Sequence, residues 1–310
     1  MRVVVTGADG FLGKHLVTAL ERNSMDVVSL PGPAASTGLN LDVATVRDME
    51  RILSPHRPDA VVHLAAQSSV SYSWINPADT MQTNVVGTTK LFLASAAAGA
   101  RRFIAMSSAE VYQPRVGFLD EESAVGPLNP YGLSKMTMEQ LLWQMVGKTS
   151  VDLCVARAFN LVGPGQRLGF VLSDWAAQLH TVRIGRGMPL TVGNLDPVRD
   201  FLDVRDAAQA ITRLLKPQTP SGIYNVCSGE GRSLRQVLQD LLAVAGGVNP
   251  MITVDPSKFR PVDIPYLVGN SEKLKTLGWV PGIQWRDTLT DILNDVATRV
   301  FSGTGGWRAT

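Results

Sequence analysis

The first half of the chain alternates between two kinds of apolar pattern. Short runs rich in β-branched residues fall at Arg2–Thr6, Asp26–Leu30, Ala60–Leu64, Phe103–Ser107 and Val151–Arg157. They are apolar without period-two alternation, the pattern of strands buried on both faces. Between them, helical patterns run over about Gly10–Arg22, Thr45–Leu53, Pro77–Ala98 and Pro130–Val146. Strand and helix in regular turn predict a doubly wound α/β fold, with a parallel sheet covered by helices on either side. Ligands of such sheets gather beyond the carboxyl ends of the strands. Candidate site residues of this chain fall there: Gly7 after the first strand, Ala65 to Ser69 after the third, Ser107 to Glu110 after the fourth and Asn160 after the fifth.

Beyond Asn160 the pattern loosens. Gly163-Pro164-Gly165-Gln166 breaks the chain. Val204–Leu215 reads as a helix returning to the core, Ile223–Cys227 as a strand and Leu234–Ala245 as a helix. A short strand at Pro250–Asp255 and a last helix near Thr288–Val300 follow, and the Gly-rich tail Phe301–Thr310 is expected to fray. There is no internal repeat and no linker. The expected division is a sheet core over 1–162, to which 203–227 returns, and a smaller interleaved lobe over 163–310.

Length and composition narrow the class. A chain of 310 residues suffices for one large α/β domain with a smaller lobe. The net charge of +2 argues against a nucleic-acid surface. No apolar run reaches the length of a membrane span, and strand-like sequence begins at once after Met1, leaving no room for a secretory signal. A cytoplasmic protein with no membrane partner is expected. The two cysteines, Cys154 and Cys227, lie in apolar runs and read as small core residues. The four histidines, His15, His56, His63 and His180, form no group with cysteine, so no metal site is expected.

Two motifs carry chemistry. Val3-Val4-Val5-Thr6-Gly7-Ala8-Asp9-Gly10-Phe11-Leu12-Gly13 reads as a strand, a glycine turn and the start of a helix. Gly7 permits the tight turn, Gly10 lets a phosphate approach the backbone, and Gly13 permits close packing of helix on strand. Such a turn holds a dinucleotide pyrophosphate on helix N-terminal N–H groups. The usual acid at the end of the second strand is missing from Ser29-Leu30-Pro31-Gly32, and so is an arginine. Use of both NADH and NADPH is therefore expected. Asp42 is a candidate contact for the adenine edge, or an N-cap for the segment beginning at Ala44.

The second motif is Tyr131-Gly132-Leu133-Ser134-Lys135. A Tyr and a Lys four apart share one helix face, where the ammonium can lower the phenol's pKa. A phenol so tuned gives and takes a proton near neutral pH. Ser108 follows the fourth strand, where its hydroxyl can bond a substrate oxygen beside that phenol or cap its own backbone. Glu110 is either a base for a proton next to a carbonyl or a polar residue of the cleft wall. Arg199 and Arg260 stand in the irregular lobe. Each suits a diphosphate grip and equally a surface ion pair.

In this order the motifs resemble the extended short-chain dehydrogenase/reductase family of nucleotide-sugar enzymes. The likeness runs to about Arg299. It sharpens at His63–Val70, Ser73-Trp74, Phe159–Gln166, Val192–Leu195, Arg199–Asp206, Tyr224–Gly229 and Arg260–Asp263. The resemblance implies a Rossmann-type doubly wound parallel sheet with a smaller, interleaved C-terminal substrate lobe. It implies Ser108, Tyr131 and Lys135 as the catalytic triad. Gly7, Gly10, Phe11 and Leu12 would form the coenzyme turn, with Leu64, Ala65 and Ala66 under the nicotinamide half. Asn160, Arg199 and Arg260 would hold the substrate diphosphate, with Ser108 and Glu110 beside the sugar. The implied coenzyme is NADPH or NADH and the implied partner a GDP-sugar whose 4-keto group is reduced. A homodimer through the helix carrying Tyr131 and the one before it is implied as well. A 4,6-dehydratase using Glu110 as base, a C4 epimerase and a non-catalytic NADP sensor are the alternatives. The chain departs from the family at Gln113, where a glycine is usual, and at the end of the second strand.

Overall fold

Val3, Val4 and Val5 are all fully buried. Successive strand side chains point to opposite faces, so this strand needs a covering layer on both sides. The computed structural model, which describes residues 1–32, 48–185, 189–247, 249–259 and 262–301, supplies one on each. Val3 and Val5 pack with Leu16 and Leu20 of the helix Phe11–Arg22 and Ile211 and Leu214 of the helix Val204–Leu214. Val4 packs with Leu91 and Phe92 of the helix Thr88–Ala97 and Leu142 of the helix Pro130–Val146.

In chain order the strands are β1 (Arg2–Thr6), β2 (Asp26–Leu30), β3 (Ala60–His63), β4 (Arg102–Ser108), β5 (Phe118–Leu119), β6 (Asp152–Ala158) and β7 (Asn160–Val162). They continue as β8 (Leu190–Val192), β9 (Val198–Asp203), β10 (Gly222–Val226), β11 (Gly231–Ser233), β12 (Ile252–Val254) and β13 (Tyr266–Gly269). The main sheet has the order β10-β6-β4-β3-β1-β2, every pair parallel. Because β1 lies between β2 and β3, the connections leave it in opposite directions. That opens a crevice beyond the carboxyl ends of the strands.

The expected bounds of β1, β2 and the helices Pro130–Val146 and Leu234–Ala245 are those observed. The expected helix over Pro77–Ala98 is not uniform. A π-type segment at Gln82–Gly87 separates Pro77–Met81 from Thr88–Ala97. Of the expected Thr45–Leu53 helix, Met49–Leu53 lies among the described residues.

The lobe holds elements that the sequence pattern did not resolve. A second sheet runs β11-β9-β13-β5, with β7 beside β9, and β8 pairs with β12. The helix Val171–Arg183 packs Leu172, Trp175 and Leu179 against Leu238, Leu241, Leu289 and Ile292. The helix Val204–Leu214 and strand β10 return to the main sheet, where β10 pairs with β6. Cys154 and Cys227 are buried and unbridged. Among the described residues no helix is long and apolar enough to cross a membrane, and no cluster of His, Cys, Asp and Glu could hold a metal.

Asp200, fully buried in β9, joins the lobe's parts. Its carboxylate accepts from Ser228 N (2.8 Å), Ser228 Oγ (2.7 Å), Gly229 N (2.9 Å) and Gly269 N (3.3 Å). Burial pushes this carboxyl up to about 6 against the pull of those four donors, so it is ionised and a pure acceptor at neutral pH. Asp200→Asn puts an NH2 group where donors point. Each buried donor left unpaired costs roughly 1–3 kcal/mol, so a clear fall in the urea midpoint is expected. An unchanged midpoint would show that these bonds do not hold the lobe.

Candidate active site

Gly7 opens the site. Its φ of 67° lies in the left-handed region, and its N–H donates to Leu30 O at 2.9 Å, pinning the turn to the end of β2. A Cβ on Gly7 would lie 2.8 Å from Ala65 N, one on Gly10 3.0 Å from Gly7 O, and one on Gly13 2.2 Å from the same oxygen. Gly10 is the N-cap of the helix Phe11–Arg22, with no side chain capping it. Its first N–H groups are thus left to an anion. This cradle suits a dinucleotide pyrophosphate. Leu64 N donates to Thr6 O (3.2 Å) and Ala65 N to Thr6 Oγ1 (3.4 Å). So Gly7 lies against Leu64 and Ala65, with Ala66 next in the chain, and Gly10, Phe11 and Leu12 lead from the same turn into the helix. Asp42 and Arg260 lie outside the described residues.

The helix Pro130–Val146 starts where Asn129 caps it. Asn129 Oδ1 accepts from Gly132 N (2.8 Å), and its Nδ2 donates to Glu110 Oε2 (2.8 Å). Pro130 at the first position needs no N–H partner. Tyr131 N donates to Ser73 Oγ (3.1 Å). Gly132 presses on the loop after β4, where a Cβ would lie 2.3 Å from Glu110 O. These contacts set the Tyr131 hydroxyl near the Ser108 side chain, close enough for that hydroxyl to pull the phenol's pKa down. Ser108 in turn accepts from Glu110 N (3.2 Å).

Lys135 and Glu139 follow at one-turn intervals on the same buried face. Lys135 Nζ donates to Met106 O at 2.8 Å. Glu139 receives a fork from Arg157, with Nη2 to Oε2 at 2.6 Å and Nε to Oε1 at 3.1 Å, and bonds Ser107 Oγ. Asn84, in the π-type segment, braces the helix from the side. It donates to Ser134 Oγ (2.9 Å) and Gln67 O (2.9 Å) and accepts from Gln67 N (2.9 Å). His63 bridges Thr6 Oγ1 (2.7 Å) and Thr88 Oγ1 (2.8 Å). Burial and then the Lys135 charge push it down to about 3, so it is neutral. Sequence reasoning passed over Glu139, Arg157 and Asn84. The spacing of Glu139, four beyond Lys135, was the one signal present.

The lowered phenol pKa expected from the Tyr–Lys spacing is corrected by the structure. Burial pushes Tyr131 up to about 12, the neighbouring Ser108 hydroxyl pulling it down and the Glu110 charge adding to the rise. Lys135 is not among the groups that shift Tyr131; its ammonium donates to the Met106 carbonyl. Burial brings Lys135 itself down to about 8, against the pull of Glu139.

In the lobe, Asn160 Nδ2 donates to Asp200 O at 3.0 Å. Arg199 is buried in β9, its guanidinium bonding Asp263 Oδ1 (2.8 Å) and Val198 O (3.0 Å). Of the two readings of Arg199, the ion pair is the one on view.

A model of the NAD dependent epimerase/dehydratase family matches residues 3–227, most of the chain. The chain belongs to that family. It is 37% identical over 305 residues to a GDP-6-deoxy-D-mannose reductase of Pseudomonas aeruginosa, covering 96% of this chain and 98% of the relative. The solved structure of RMD from Pseudomonas aeruginosa complexed with NADPH is similar, with a TM-score of 0.84 and 34% identity over 96% of this chain and 99% of that one. So is a Thermus thermophilus UDP-glucose 4-epimerase complexed with NAD, with a TM-score of 0.85 and 27% identity over 96% and 99%. The family's Rossmann-type sheet and its NAD(P) coenzyme apply to this chain, and the glycine turn and the Ser108–Tyr131–Lys135 cluster lie within the matched span.

The pH dependence should report Lys135. Its ammonium is lost as pH rises through about 8, so kcat/KM for the coenzyme should fall along an alkaline limb centred there. Lys135→Arg, which stays charged, should lack that limb in whatever activity it keeps. A wild-type profile flat to pH 9.5, roughly 1.5 units above, would show that the ammonium is not needed.

Proposed function

We propose that the protein reduces the 4-keto group of GDP-4-keto-6-deoxy-D-mannose to GDP-D-rhamnose, using NADPH or NADH. The carrying observation is the Tyr131 hydroxyl against Ser108, one turn before Lys135, at the carboxyl ends of the strands whose first turn suits a dinucleotide. The full-length likeness to a GDP-6-deoxy-D-mannose reductase supports the choice of sugar nucleotide.

The coenzyme, when bound, supplies the hydride that C4 receives. Tyr131 gives the proton to the oxygen that was the carbonyl. A phenol held near 12 carries that proton throughout the neutral range, as a donor in a reduction must. Ser108 donates a hydrogen bond to the same oxygen and stabilises its developing charge. Lys135, a turn behind, would hold the nicotinamide ribose. Glu110 is occupied with the Asn129 cap, a bracing position that suits a reductase with no C–H bond to break. Asn160, Arg199 and Arg260 hold the diphosphate from the lobe, Arg199 sharing its fork between Asp263 and the anion. The core spans 1–162 with 203–227 returning to it, and 163–310 is mainly the substrate lobe. The same reading makes the protein a cytoplasmic homodimer supplying a polysaccharide precursor. Exposed Leu93 and Leu133, on the two helices taken to pair, support the dimer.

The deciding experiment incubates purified protein with GDP-4-keto-6-deoxy-D-mannose and each coenzyme, following absorbance at 340 nm and the product by NMR. One coenzyme oxidised per sugar and a D-rhamno product are expected. Attack on the other face would give GDP-6-deoxy-D-talose. Water loss from GDP-mannose with no net coenzyme change would replace the proposal with a dehydratase. Tyr131→Phe keeps the ring and should cut turnover ~10²-fold or more while sparing coenzyme affinity. Near-normal turnover would take Tyr131 out of the mechanism.

The diphosphate grip has its own test. Arg199→Ala should lower kcat/KM for the sugar nucleotide roughly thirtyfold or more, the scale of removing one partner of a buried charge pair. The coenzyme Kd should hold, since the glycine turn lies at the end of β1, away from β9. A melting curve taken alongside separates this from the loss of the Asp263 ion pair. If Arg199→Ala weakens coenzyme binding and spares the sugar nucleotide, the lobe serves the wrong ligand in this proposal.

A further inference from the structure

A dinucleotide fold usually reads the 2′ position of the adenosine ribose with an acid at the end of its second strand. Here that strand runs out through Leu30, Pro31 and Gly32, none of them acidic. The structure brings a carboxylate to the place from another segment. Asp9, in the glycine turn between Gly7 and Gly10, accepts from Gly32 N at 2.7 Å through Oδ1. A Cβ on Gly32 would lie 3.7 Å from Asp9 Oδ1 and 3.9 Å from Oδ2. The carboxylate therefore lies in van der Waals reach of the point where a side chain of residue 32 would begin. Glycine at 32 leaves that space open, and the bond from Gly7 N to Leu30 O fixes the gap between turn and strand. Asp9 is exposed and sits within the glycine turn that suits the coenzyme's pyrophosphate.

We propose that Asp9 is the residue that reads the 2′ position, and that it makes this protein prefer NADH to NADPH. A carboxylate accepts hydrogen bonds from the ribose hydroxyls of NADH. Against the 2′-phosphate of NADPH it sets a like charge, and like charges built against one ligand are a standard source of discrimination. The fold alone leaves the choice open, since similar structures carry NADPH in one case and NAD in another. The inference rests on the coenzyme site and is independent of the sugar.

The test is equilibrium binding of NADH and NADPH, by calorimetry, to wild type and to Asp9→Asn, with no sugar nucleotide present. Asparagine keeps an acceptor for Gly32 N–H and removes only the charge. The wild type should bind NADH at least roughly tenfold tighter, about 1.4 kcal/mol. Asp9→Asn should tighten NADPH by about as much, change NADH by no more than a few-fold, and so erase the preference. Added salt should narrow the wild-type gap, because an exposed charge is screened. Tighter NADPH binding in the wild type, or an unchanged ratio in a folded Asp9→Asn variant, would overturn the assignment. Failure of both dinucleotides to bind would sink the coenzyme site and this inference together, whereas binding without sugar reduction would sink only the proposed substrate.

Discussion

The buried ion pair between Arg157 and Glu139 holds the site in register. Both side chains are almost wholly withdrawn from water, and the closest contact is 2.6 Å. Arg157 comes from β6, Glu139 from the helix Pro130–Val146, and Ser107 of β4 completes the set. The guanidinium also stacks 4.7 Å over the Tyr112 ring and is held charged, pushed above its ordinary range by the carboxylate. Two buried ions are costly to desolvate, and such a pair commonly adds little net stability. Its effect here is geometric. It fixes the rotation and depth of a helix whose preceding turns carry Lys135 and Tyr131. It also sets a negative charge behind Lys135, which keeps that ammonium from falling further.

What the sequence revealed depended on whether burial and chemistry agreed. Arg2–Thr6 was legible because three consecutive valines lie under cover on both faces. Pro130–Val146 was legible at its start because Asn129 and Pro130 are local capping signals. Strand β9 was hidden because it carries Arg199, Asp200 and Asp203 in buried positions. Arg199 and Asp200 are satisfied by residues distant in sequence, Asp263 for the first and Ser228, Gly229 and Gly269 for the second, while Asp203 is shared between the nearby Arg205 and the distant Thr288. Local pattern cannot announce such partners. The helix Val171–Arg183 is a different case. Leu172, Trp175, Ala176 and Leu179 have helical spacing, so that helix was readable but lay in a stretch whose neighbours were irregular. The π-type segment that turns Asn84 toward Ser134 adds no change of composition at all.

The candidate site divides along the same line. Residue identity and spacing placed Ser108, Tyr131 and Lys135 together, and the structure shows them on facing elements. The direction of the phenol's shift was not legible, since a spacing of four says nothing of depth. Burial dominates at both groups: the phenol rises against the pull of the Ser108 hydroxyl, with the Glu110 charge adding to the rise, and the ammonium falls against the pull of Glu139. The two shifts converge on a protonated donor and a cation at the edge of neutrality. That asymmetry favours adding a proton to substrate over removing one.

The lobe's construction follows from the same economy of buried partners. Strand β5, from the chain's first half, pairs with β13, and Tyr112 donates to Asn225 of β10 at 2.7 Å. Asn225 reaches on to Leu119 O at 2.8 Å. Ala109, Val111, Tyr112, Phe159, Cys227 and Leu267 form one core across the junction. The loop after β4 that carries Ser108 and Glu110 is therefore built into the seam between the main sheet and the lobe. A lobe seamed in this way cannot rotate freely about a linker without breaking buried hydrogen bonds. The sugar-holding residues proposed on β7 and β9 and the proton donor on the helix Pro130–Val146 are thus set at a distance fixed by the fold itself. On the proposed function, selection by reach follows from that: a nucleotide sugar would span the seam only if its diphosphate and its reacting carbon were separated by the interval the two sheets impose.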